Sequence, residues 1–336
     1  MIYGHGGDTY KYGRGIIDFS ANINPLGMPE TVIRAARDAD AGVYPDPKSG
    51  RLRSAIAGVT GVSSDDIICG NGAAALMFTL AAALRPKLTL IPEPAFSEYE
   101  RAVKSVGSEV AYYAEDSGAA GAITGKTELV FICSPNNPTG YLIDRSSIRA
   151  AVERAAEFGA AVVVDECFND FLDEPERYSV SGLTAEYKNL IVLRSFTKMY
   201  AMPGLRLGYM LCSDRALIER MYSERQPWEI SAPAEAAGTA ACFAAEHAAR
   251  TRAYIHTERE YIKRGFDRLG IRYMEPSANF IMFYHRPGLK EKLLKKNILI
   301  RSCADFRGLG ADCYRAAVRL HEENIMLIKA LEELNG

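Results

Sequence analysis

Short apolar runs of strand length recur along the first two thirds of the chain, at residues 67–69, 88–91, 110–113, 129–133, 161–164, 190–193 and 207–211. Alanine-rich segments with helical spacing of their apolar positions, at 73–84, 96–106 and 146–158, separate many of them. Strands alternating with helices predict an α/β unit around a largely parallel sheet, whose ligands sit at the carboxyl ends of the strands. Residues 213–269 read as mostly helical with a break at Pro227 and Trp228. Strand-like runs then return around Tyr273 and at 279–284, 298–300 and 314–318, closed by a helix over 322–334. This second, smaller unit is of α+β type. The expected division is 1–53 as an amino-terminal arm and part of the small domain, 54–245 as the large domain and 246–336 as the carboxyl-terminal small domain.

Composition fits a globular protein of about two domains. The 336 residues are 48% hydrophobic and 24% charged, and 40 Lys and Arg against 42 Asp and Glu leave a net charge of -2. No basic surplus exists for a nucleic-acid backbone, so nucleic-acid binding is disfavoured. The seven cysteines, at 69, 133, 167, 212, 242, 303 and 313, include no closely spaced pair and read as reduced thiols of a cytoplasmic protein without a metal site. Residues 1–18 lack the apolar core of an export signal. The alanine-rich stretch 232–245 is interrupted by Pro233 and Glu235, which predicts a packed helix and no membrane span.

Four places carry candidate chemistry. Lys198 follows an apolar strand and lies amid small and apolar neighbours, where a desolvated amine becomes nucleophilic toward an aldehyde; Ser195 and Arg206 near it suit a phosphate monoester. Asp165 ends a buried apolar run, where a carboxylate needs a cationic partner or a helix to cap. Asn137 lies in the turn Ser134-Pro-Asn-Asn-Pro-Thr-Gly140 after another strand. Gly70-Asn71-Gly72 joins a strand to a helix, either as a plain turn or as an anion site at the helix start.

In this order, these segments together resemble the fold-type I pyridoxal-phosphate enzymes of the aspartate aminotransferase superfamily. The resemblance implies a large domain with a mainly parallel central sheet, a smaller α+β domain and pyridoxal 5'-phosphate as cofactor. By carry-over, Lys198 holds the cofactor aldehyde and shuttles the proton, Asp165 keeps the ring nitrogen protonated, Asn137 donates to the ring 3'-oxygen and Phe96 stacks on the ring. Gly70, Asn71, Gly72, Ser195 and Arg206 would hold the cofactor phosphate, joined by Tyr44 from a neighbouring subunit, so a homodimer with shared sites is implied. Phe168 stands where the superfamily often has a tyrosine that donates to the same ring oxygen.

The amino-terminal elements His5-Gly-Gly-Asp8, Asp18-Phe-Ser-Ala-Asn-Ile-Asn-Pro-Leu-Gly27 and Tyr44-Pro-Asp-Pro47 narrow the resemblance. They are similar to those of the L-threonine O-3-phosphate decarboxylases of cobalamin (cobamide) biosynthesis. Histidinol-phosphate aminotransferases, which use 2-oxoglutarate, are the alternative. On the first resemblance His5, Gly6, Asn24, Asn137, Arg301 and Arg315 bind a small phosphorylated amino acid. A regulator that binds the cofactor without catalysis is disfavoured by the intact Lys198.

Overall fold

Strands that read as uninterrupted apolar runs must be covered on both faces, and the computed structural model, which describes residues 4–13 and 15–335, covers them with helices. Residues 1–3, the start of the expected arm, lie outside the described residues. In chain order the strands are β1 (Ile17–Asp18), β2 (Ile67–Gly70), β3 (Leu88–Glu93), β4 (Glu109–Ala114), β5 (Leu129–Cys133), β6 (Ala161–Asp165), β7 (Leu190–Ser195), β8 (Gly208–Leu211), β9 (Phe280–Tyr284), β10 (Ile298–Leu299), β11 (Arg301–Ser302) and β12 (Cys313–Ala317). The main sheet has the order β2-β8-β7-β6-β5-β3-β4. Only β8 runs antiparallel to its neighbours. Successive side chains of a strand point to opposite faces, and here both faces are apolar. Val130, Ile132, Val162 and Val164 pack with Ile148 and Val152 of the helix Arg145–Ala156. Leu129, Phe131 and Val163 pack with Leu76 and Leu80 of the helix Ala73–Leu84.

The expected break at Trp228 separates the helix Arg215–Glu224 from the helix Ala232–Ala241; the 24-residue helix Ala245–Arg268 follows. Asp214 and Ser231 start the first two by accepting from the backbone N–H groups of Leu217 and Ala234. The smaller sheet has the antiparallel order β11-β12-β9, while β1 pairs in parallel with β10. Tyr273 makes only an isolated bridge to Phe283, because Pro276, three residues on, has no N–H for a ladder. Residues 17–53 are shared between the two cores: Phe19 packs with Phe280 and Ile300, whereas Val32 and Leu52 pack with Ala234 and Ala237 under the main sheet. All seven cysteines are free. No described helix is long and apolar enough to cross a membrane.

Candidate active site

A cavity of about 380 Å³ lies at the carboxyl ends of the central strands, between the main sheet and the smaller one. Asp165 ends β6 and Ser195 ends β7, the turn bearing Asn137 leaves β5, and Ala73 and Ala74 open the helix that follows β2. Lys198 enters from the one-turn helix Phe196–Met199. Arg301, Arg315 and the segment from Gly4 to Gly6 close the opposite wall.

Asp165 is 5% exposed, and its carboxylate is held at both oxygens. The Tyr99 hydroxyl donates to Oδ2 at 2.6 Å and the Cys167 N–H donates to Oδ1 at 2.9 Å. Burial, then the charge of Asp165, pushes the Tyr99 hydroxyl well above its ordinary range, so it stays a donor. The Lys198 amine has no hydrogen-bond or ion-pair partner among the described residues and stands 6.0 Å from the Phe168 ring centre. Burial, with the positive charges of Arg315 and Arg206 nearby, lowers the amine to about 8. The neutral amine, which nucleophilic attack on an aldehyde requires, is therefore far more populated near neutrality than in an ordinary lysine.

At the other side of the lysine, the Ser195 and Thr197 hydroxyls are 2.7 Å apart. Gly72, with φ of 86°, starts the helix Ala73–Leu84, and a Cβ there would come within 2.7 Å of Arg206 Nη2. The guanidinium thus lies directly on the glycine backbone, next to free N–H groups and the positive end of the helix.

Arg315 is buried, donating to Asn137 Oδ1 and, at 2.8 Å, to the Ser20 carbonyl; its Nε has no partner among the described residues. Burial lowers its guanidinium to about 10. Arg301 stands directly opposite it across β11 and β12, so both side chains leave the same face of the sheet. Arg301 pairs with both oxygens of Asp305 at 2.8 Å and donates to the Gly4 carbonyl at 2.6 Å. His5 Nε2 is 3.0 Å from Glu98, and its ring centre is 6.0 Å from that of Phe96. Gly6 crosses so close to the chain that a Cβ would fall 2.0 Å from the Ser20 carbonyl oxygen.

The structure brings His5, Gly6, Phe96, Asn137, Asp165, Ser195, Lys198, Arg206, Arg301 and Arg315 to one cavity. Asn24, expected to bind substrate, is not there. Its amide nitrogen contacts the Met199 carbonyl at 2.7 Å, the Thr251 hydroxyl at 2.8 Å and His247 at 3.0 Å, and its oxygen accepts from the Leu26 N–H at 3.0 Å. With every polar atom engaged, Asn24 is a brace beneath the lysine turn, and its own N–H donates to the Lys198 carbonyl at 3.1 Å. Its near neighbour Asn22 is the one at the cavity, 2% exposed with an orphaned Oδ1. Tyr44 is 80% exposed, away from the cavity of its own chain and against Trp228 at 4.7 Å. Gly70 and Asn71 form the turn behind Ala73 without lining the cavity. Sequence reasoning missed Tyr99, Asn22, Thr197, Glu98 and Asp305. Tyr99 follows Phe96 by three residues, in the first turn of the helix Glu98–Lys104, and that proximity to the expected ring-stacking residue is a signal that could have found it.

An unpartnered amine of lowered basicity, a carboxylate fixed at both oxygens across the same cavity, and a separate anion cradle at a helix start fit pyridoxal 5'-phosphate. Orphaned buried polar atoms on Asn22 and Arg315 add to the fit. Fold and site together define a fold-type I pyridoxal-phosphate enzyme, and pyridoxal 5'-phosphate is its cofactor. The chain belongs to the family described as aminotransferase class I and II, which it matches over residues 14–331. It is 39% identical to a protein of Caldanaerobacter subterraneus subsp. tengcongensis, provisionally described as a threonine-phosphate decarboxylase, over 99% of this chain and 94% of that one. It is 35% identical to the histidinol-phosphate aminotransferase of Symbiobacterium thermophilum, over 96% of this chain and 91% of the other. The solved L-threonine-O-3-phosphate decarboxylase of Porphyromonas gingivalis superposes with a TM-score of 0.86 at 26% identity, covering 94% of this chain and 98% of that one.

Proposed function

We propose that this enzyme decarboxylates L-threonine O-3-phosphate to (R)-1-amino-2-propanol O-2-phosphate and CO₂ in cobalamin biosynthesis, as a cytoplasmic homodimer. The observation that carries this reading is the pair Arg301 and Arg315 on one sheet face, with His5 on the same cavity. Three cationic or protonatable groups at one end suit a substrate that carries both a carboxylate and a phosphate.

In this reading Lys198 would hold the cofactor aldehyde and afterwards deliver to Cα the proton that takes the place of CO₂. Asp165, oriented by Tyr99 and Cys167, holds the proton on the ring nitrogen. Arg315 occupies the oxygen of Asn137, which leaves that amide's N–H groups to face the ring 3'-oxygen. Phe96 covers one ring face. Ser195, Thr197 and Arg206, with the helix start at Ala73, would hold the cofactor phosphate, with the partner subunit's Tyr44 completing the cradle. When bound, the cofactor withdraws electrons from whichever Cα bond stands perpendicular to its ring. The chain's part is to choose that bond: Arg315 and Asn137 fix the carboxylate end, and Arg301, His5 and Gly6 fix the phosphate end. Two fixed ends leave one rotation about Cα, and the chain sets it toward loss of CO₂.

Transamination of histidinol phosphate is the second reading, favoured by the 35% identical aminotransferase relative. The same residues would serve it with Cα turned to present its hydrogen. Measuring CO₂ release from threonine phosphate beside 2-oxoglutarate-dependent transamination of histidinol phosphate separates the two. Efficient transamination without CO₂ release overturns the decarboxylase reading.

A further inference from the structure

Glu98 is a carboxylate in the wall of a cavity that the proposed reaction fills with anions. Its side chain is 7% exposed, at the first turn of the helix Glu98–Lys104. Left bare, such a group would repel a phosphate. It is not bare. Arg101, on the same helix, donates to both of its oxygens at 2.8 Å and lies 6.0 Å over the Phe78 ring. His5 Nε2 reaches Oε1 at 3.0 Å from the cavity side. Burial pushes the Glu98 carboxyl up, and hydrogen bonds from His5 and Arg101 more than reverse this, leaving it ionised below the usual carboxylate range. An ionised carboxylate can only accept, so Nε2 carries the proton it donates.

That bond fixes the imidazole. Its other nitrogen, Nδ1, lies on the far edge of the ring and has no partner among the described residues. The segment that carries His5 has little other freedom, since Gly4 is tied to Arg301 and Asp305, Gly6 abuts Ser20, and the Gly7 N–H donates to the Ser20 hydroxyl at 2.8 Å. We propose that Glu98 is a positioning residue: it holds His5 by Nε2 so that Nδ1 addresses the phosphate of the substrate, and thereby sets the preference for phosphorylated amino acids. Held this way, the ring lies between two anions, the wall's carboxylate and the ligand's phosphate. This inference rests on the phosphorylated-substrate reading above.

The test uses cofactor-loaded enzyme, L-threonine O-phosphate and L-threonine as paired substrates, and inorganic phosphate as a competing anion. Glu98→Gln is expected to raise KM for the phosphorylated substrate about tenfold and to weaken phosphate inhibition by a similar factor, the scale of one charge-assisted hydrogen bond. The fall in kcat, and the change with threonine, should be smaller. Glu98→Asp should recover part of the loss, because it restores the charge one methylene short. In the double variant with His5→Ala the losses should overlap, the double being within about twofold of His5→Ala alone. Additive losses, equal losses on both substrates, or a lower KM in Glu98→Gln would overturn the inference. A wild type without preference for phosphorylated substrate removes the functional reading itself, and the inference with it. A selective wild type beside an equally selective Glu98→Gln overturns the inference alone.

Discussion

The hydroxyl of Tyr99 stands 2.6 Å from Oδ2 of Asp165, with the Tyr99 ring stacked on Phe131 at 4.7 Å between centres. A fully buried phenol is thus spent on fixing one carboxylate. Tyr99→Phe keeps the ring and removes only the donor, leaving Oδ2 without its protein partner. Hydrogen bonds to charged groups contribute about 1.5–3 kcal/mol, so kcat/KM should fall about tenfold or more. Asp165→Asn should fall further, with the fold retained by circular dichroism. Near-normal turnover in Asp165→Asn would make the carboxylate merely structural.

Lys198 gives a pH signature. Burial and the charges of Arg315 and Arg206 hold its amine at about 8, below the ordinary lysine value of 10.5. A lowered value means that the neutral, reactive form grows as pH rises and saturates above 8. Uptake of pyridoxal 5'-phosphate by cofactor-free protein should therefore rise with pH to a plateau with its midpoint near 8. Borohydride reduction of the loaded enzyme should then fix the cofactor on Lys198. Attachment to another lysine, or a rate still climbing at pH 10, would contradict this.

Asn24 separates a brace from a ligand. Asn24→Ala leaves the Met199 carbonyl, Thr251 and His247 without their shared partner. Buried groups left unsatisfied cost about 1–3 kcal/mol. Urea unfolding should show a loss of that order, and kcat should fall as the turn bearing Lys198 loosens, with KM little changed. A large rise in KM without loss of stability would return Asn24 to the substrate.

Much of this was legible in the chain because the central strands are buried on both faces and end at chemistry. Apolar runs closing on Asp165, or followed by Asn137 and Lys198, mark the carboxyl edge of the sheet directly. What the sequence hid is tertiary. Asn22 and Asn24 are two positions apart in one loop, and only the packing of the long helix Ala245–Arg268 shows which of them Thr251 and His247 engage. Glu98 reads as an ordinary acid at a helix start, since His5 lies far away in the chain and meets it only in the folded cavity. Asp305, one helical turn's distance from Arg301, looks like a local ion pair until Gly4 is seen to share it.

Tyr44, with its exposed ring, offers a test of sharing between subunits. Mixing Tyr44→Phe chains with Lys198→Ala chains should give hybrid dimers in which one site carries both lesions and the other neither. Activity should then reappear in the hybrids. Verified hybrids without recovered activity would mean that each site is complete in one chain.

Glu115 couples the stability of the fold to pH. Its Oε2 accepts from the Thr139 hydroxyl at 2.8 Å and from the amide of Asn136, bracing the turn that presents Asn137. Burial raises its carboxyl from 4.5 to about 7 despite these bonds. The folded state therefore keeps a proton between pH 4.5 and 7 that the unfolded chain has lost, and wherever the folded state binds more protons stability falls as pH rises. The loss begins near pH 4.5, is complete slightly above pH 7, and amounts to at most about 3 kcal/mol. Glu115→Gln puts one amide oxygen where Oε2 was, so it can accept both bonds without a charge. The variant should match or exceed the wild type in stability at pH 8 and lack its decline between pH 5 and 7, as the difference between the two urea-unfolding profiles will show. Parallel profiles across that range would mean that Glu115 titrates in the folded protein as it does in the unfolded chain.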